Sequence, residues 1–348
     1  MIDFALSPYH LTTREPAAML ALALARRVVT MIPTPTDDAG GLAGFSATQV
    51  AKAVPSYRKF VESWAWSTPL WDENVLQASH RGQTAVDDMW AVTEHIEHEA
   101  NLLTLRHFLK HGGFADPASY LHAVAADLLK GGPDPGISLP VVAGLDRFAT
   151  RMGLVVVRSR PQSLAQQAEL RLAQSLCSFA VPLFMQASAE RMLHYREVLK
   201  RELAGLREVM ATIAKDAMDP RGDGPMVLGE QLAELHEASA VLQEQYAALR
   251  DELCVDSEDD DVRLVEGFVS ISAVRLPWDA ALTSSVQAFA AAGNAKVPVA
   301  PARDGVSTQQ LPELPELHDG VRGKHFVSLL VKPMGQTSRA SGLRSSRM

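Results

Sequence analysis

Apolar positions recur along this chain in two rhythms, and the clearer one is helical. Leu199, Leu203, Leu206, Met210, Ile213 and Ala217 step by alternating fours and threes. Leu228, Leu232, Leu235, Ser239, Leu242, Tyr246, Leu249 and Leu253 repeat the pattern. Between them, Met218 to Pro225 holds two prolines and two glycines in eight residues, a stretch that breaks a helix. The spacing predicts a long antiparallel heptad hairpin. Ser239 stands at one of its core positions, and acids such as Glu234, Glu237 and Glu244 line its flanks.

Helical punctuation continues elsewhere. Thr13 is placed to cap a helix running through Ala17, Leu20, Leu22 and Leu24 towards Met31, with Pro33 and Pro35 as its stop. Met89, Ile96 and Leu103 repeat every seven residues in a segment from 84 to 111, roughly 42 Å long at the helical rise. Asp116-Pro117 starts another helix that Gly131-Gly132 ends, and a short one spans about 141–152. From Ser163 helical character resumes with a kink at Pro182. The second rhythm is that of strands: Leu154 to Val157 is a β-branched run, Val262 to Leu276 alternates, and Phe326 to Val331 closes the series.

These elements predict a mainly α fold, a helical bundle with the long hairpin and a small β-containing C-terminal segment. The expected divisions are an N-terminal helical domain over 1–160, the hairpin over 161–255, and a small α+β segment with a Pro-rich linker over 256–333. A disordered basic tail over 334–348 completes them.

Composition narrows the function classes. The 348 residues are 47% hydrophobic, enough for a substantial core, and the net charge of -8 disfavours nucleic acid as a partner. Cys177 and Cys254 form neither a disulfide framework nor a C-x-x-C pair. The N-terminus lacks the basic region of a signal peptide, and the apolar run from Leu176 to Met185 is short for a spanning helix, so a cytoplasmic protein is expected.

Candidate chemistry is sparse. Glu94, His95, His98 and Glu99 place acid and imidazole four residues apart on helix faces, a spacing that suits a divalent metal, although neither H-E-x-x-H nor E-x-x-H occurs. Trp64, Trp66 and Trp71 put three of the five tryptophans within eight residues beside Pro69, an aromatic cluster suited to a ligand pocket or a partner. Leu232, Leu235, Leu242 and Leu249 offer a helical binding seam. No nucleophile elbow, phosphate loop or dinucleotide fingerprint is present, and Arg221-Gly222-Asp223 reads as a turn. The expectation is a non-catalytic interaction or assembly protein with a protein partner or self-association, and no cofactor. The alternatives are a metal-binding helical enzyme built on His95 and His98, and a membrane-active helical oligomer in which the segment from Leu176 inserts into lipid.

Overall fold

The computed structural model describes residues 2–32, 55–78, 123–124, 127, 135–158, 178–218, 229–249, 262–272 and 326–333. In chain order these form β1 (Asp3–Leu6), α1 (Pro8–Thr13), α2 (Pro16–Leu24), β2 (Arg27–Thr30), α3 (Pro55–Trp64), a 3-10 turn (Ala65–Ser67), α4 (Thr68–Asp72) and β3 (Leu76–Ala78). They continue with α5 (Pro135–Met152), β4 (Val155–Arg158), β5 (Ser178–Phe184), α6 (Ala189–Val198), α7 (Lys200–Met218), α8 (Gly229–Ala248), β6 (Val262–Ser272) and β7 (Phe326–Pro333).

The strands join in one sheet of order β3-β2-β1-β4-β7-β6-β5. β3, β2, β1, β4 and β7 run parallel, and β6 lies antiparallel between β7 and β5. This corrects the expected mainly α bundle with a small β-containing C-terminal segment: the architecture is α/β. Parallel strands covered by helices bury both faces, so they read as short unbroken apolar runs rather than as alternation. Phe4-Ala5-Leu6 and Val155-Val156-Val157 are of this kind, and all six are buried.

The long antiparallel hairpin is corrected with it. α7 and α8 touch one another, but they are covering helices of the sheet: α7 packs on β7 and α2, and α8 packs on β5. A stripe stepping by threes and fours marks one buried helical face and says nothing about whether a helix or a sheet lies opposite. Leu203, Leu206, Met210, Ile213, Leu235 and Leu242 all belong to the common core, so there is no separate coiled-coil seam.

Two further elements differ from expectation. The predicted helix through 31 ends at Leu24, and Arg27–Thr30 becomes β2. The apolar run from Leu176 was expected to be helical, yet Ser178–Phe184 is β5. Pro182 fits there because β5 is an edge strand, where proline is tolerated.

α2 is the centre of the packing. Its sequence is apolar all round, and every residue from Ala17 to Leu24 is fully buried. It contacts five strands of the sheet together with α6 and α7. Ser7 caps α1 by accepting from Tyr9 N–H, and Pro16 opens α2 at a position that needs no donor.

Candidate functional site

In an open parallel sheet the chain winds outward in one direction and then in the other, and the carboxyl ends of the two strands at that reversal diverge into a crevice. Here β1, β2 and β3 build one side, and β4 starts the other on the far side of β1. The reversal therefore lies between β1 and β4. Their register pairs Leu6 with Val157, which puts Ser7 and Arg158 next to each other at the carboxyl end.

Several polar groups lie at this end of the sheet. Ser7 is buried, and its Oγ accepts from Tyr9 N–H at 3.3 Å. Tyr9 Oη donates to Oδ2 of the buried Asp127 at 2.5 Å, a link across 118 positions of sequence. His10 Nδ1 lies 2.9 Å from Glu15 Oε2. Thr30, the last residue of β2, donates its hydroxyl to Leu6 O at 3.0 Å. Arg158, the last residue of β4, is buried and forms an ion pair with Asp146 of α5. Burial pushes the Arg158 guanidinium down to about 9.

The segment that follows Ser7 is tied across the same end of the sheet. Arg14 ends α1 in the left-handed region at φ 50°, and its Nη1 donates to Gln186 O at 3.1 Å, just beyond the end of β5. Its guanidinium also lies 4.5 Å from the centre of the Trp66 ring, a cation–π contact. The arrangement offers a phenol held by a carboxylate, an imidazole beside a glutamate, two hydroxyls and a paired guanidinium within one region. Such a set suits the binding of a polar molecule and the movement of a proton along hydrogen bonds.

The residues singled out from sequence fall differently. Trp64 is fully buried in the core, whereas Trp66 and Trp71 are half-buried. Trp71 Nε1 donates to Ser67 Oγ at 3.1 Å, and Ser67 Oγ donates to Trp64 O at 2.6 Å, so this part of the cluster pins the turn between α3 and α4. Of the helical seam, Leu235 and Leu242 are fully buried, Leu249 is half-buried against the core, and Leu232 lies on α8. Glu94, His95, His98 and Glu99 lie outside the described residues, as does the turn at 221–223. Among the described residues no group of three or more His, Cys, Asp or Glu is placed to hold a metal ion. No described helix is long and apolar enough to cross a membrane.

Ser7, Tyr9, His10, Asp127 and Arg158 carry no fixed-spacing motif. The one local signal is Ser7-Pro8 directly after the apolar Phe4-Ala5-Leu6, a capping residue and a first-turn proline at a strand end. No protein-family model matches the chain, and comparison with curated proteins and with solved structures likewise gives no match.

Proposed function

We propose that the chain is a ligand-binding α/β protein that takes a small polar molecule at the carboxyl ends of β1 and β4. The observation that carries this reading is the reversal of winding between those strands, with Ser7, Tyr9 and Arg158 gathered where it opens. In this reading the Tyr9 hydroxyl, oriented by Asp127, is the polar contact that selects the ligand. Thr30 and the Arg158–Asp146 pair hold the strand ends in place.

The test is to purify the full chain from its native host, denature it, and identify the low-mass compounds released. A compound retained by the wild-type protein and reduced at least fivefold in folded Tyr9→Phe and Asp127→Asn variants supports the proposal. No retained compound, or equal retention in those variants, contradicts it.

A second reading, assembly with a protein partner, is favoured by the outer face of α8. Glu234, Glu237 and Glu244 are exposed there beside Ala233, Ala240 and the 49% exposed Val241. This face suits a basic partner surface. Glu234→Lys is expected to weaken such a complex in pull-down without changing helicity, and unchanged capture contradicts this reading.

A further inference from the structure

We infer that side chains of α8 and α6 stand in for a neighbouring strand along the outer edge of β5, and that they keep this edge from pairing with a second copy of the chain. In an antiparallel pair, residues alternate between turning both backbone groups to the partner strand and turning both away. β5 pairs with β6 in a register that sets Ala180 opposite Glu266 and Pro182 opposite Leu264. Ala180 turns both groups away from β6. Its N–H donates to Ser239 Oγ at 3.1 Å, and its carbonyl accepts from the same hydroxyl at 2.7 Å. Pro182, two residues on, faces the same way; it has no N–H, and its carbonyl accepts from the buried Tyr195 hydroxyl at 2.8 Å.

One hydroxyl therefore does at Ala180 what a strand's backbone would do, donating and accepting at once. Ser239 is buried, and Gln243 Nε2 donates to its Oγ at 3.2 Å, which fills the second acceptor position and leaves the single proton for Ala180 O. The cover continues to the end of the strand. The Phe184 ring meets Tyr195 of α6 and Tyr246 of α8 edge-on, with centres 6.2 and 6.1 Å away, and the Arg191 guanidinium lies 4.0 Å from its centre. A two-fold antiparallel pairing of β5 with its own copy, centred on Val181, would set Ala180 against Pro182. That pairing needs the N–H and carbonyl of Ala180 and the carbonyl of Pro182, the three groups that Ser239 and Tyr195 occupy. Pro182 moreover supplies no donor to it. An open strand edge invites such addition, and a covering helix or a proline in the strand prevents it.

The experiment follows self-association of the full chain by sedimentation velocity across a concentration series, for the wild type, Ser239→Ala and the double variant Ser239→Ala/Tyr195→Phe. Leu20→Ala, which disturbs the core without touching β5, is the control for destabilisation alone. Circular dichroism selects the variants that fold, and the single variant carries the test if the double one does not. Association is expected to set in at a concentration at least fivefold lower than in the wild type and in Leu20→Ala. Hydrogen exchange in residues 178–184 is expected to slow as the variant associates, because a second strand then covers those amides. Association no stronger than that of the wild type or of Leu20→Ala, or association that leaves exchange in 178–184 unchanged, would overturn the inference.

Discussion

Ser239 donates its hydroxyl to Ala180 O at 2.7 Å and accepts from Ala180 N–H at 3.1 Å, while Gln243 Nε2 reaches the same carbonyl at 3.4 Å. Ala180 lies in β5, the edge strand of the described sheet, whose outward backbone groups have no neighbouring strand among the described residues. A serine among leucines reads from sequence as a weak point in a helical seam, but here it terminates the sheet's hydrogen bonding. Ser239→Ala leaves both groups of Ala180 without that partner and is expected to cost about 1–3 kcal/mol. Urea unfolding measures this, and a change under a few tenths of a kcal/mol would show that the edge is otherwise satisfied. Asp3 provides a pH-dependent counterpart. Burial raises its pKa, but hydrogen bonds and charge from Arg26 and Arg27 outweigh that and hold the carboxyl below its ordinary value. A depressed folded-state pKa contributes stability above the unfolded value of about 3.9, and that contribution is lost as pH falls through the folded value. Asp3→Asn is therefore expected to lower stability at neutral pH and to flatten the loss below about pH 4. Parallel wild-type and variant curves in acid would contradict this.

At the scale of elements, α2 couples the two ends of the sheet. Its Leu20 is fully buried in the common core, so Leu20→Ala is expected to cost about 2–5 kcal/mol in denaturant unfolding. A loss below about 1 kcal/mol would place α2 outside the cooperative core. Tyr195 of α6 fixes the neighbouring strand, donating its buried hydroxyl to Pro182 O at 2.8 Å with its ring set edge-on to Phe184. Some of these elements were visible in the sequence. β4, β6 and β7 stand where β-branched or alternating residues predict strands. β1 and β2 are only four residues each, and every residue after the first is buried, so no alternation announces them. β5 was hidden for a different reason: a short apolar run fits a buried helix as well as a strand, and Pro182 reads as a kink until the strand is seen to be an edge.

At the scale of the molecule, one sheet draws strands from residue 3 to residue 333. The spacing within α7 and α8 revealed their buried faces, but nothing local could reveal that those faces meet β7, α2 and β5. The candidate site was illegible for the same reason. Tyr9 and Asp127 meet across 118 positions, and Ser7 and Arg158 become neighbours only through the pairing of β1 with β4. The measurement that tests the central claim most directly is hydrogen exchange of the full chain, read by mass spectrometry with and without the low-mass fraction of a host extract. Ligand binding at the strand ends predicts slower exchange in residues 7–15 and near 158, with the outer face of α8 unchanged. Exchange that is unaltered throughout, or slowed on α8 alone, would contradict it.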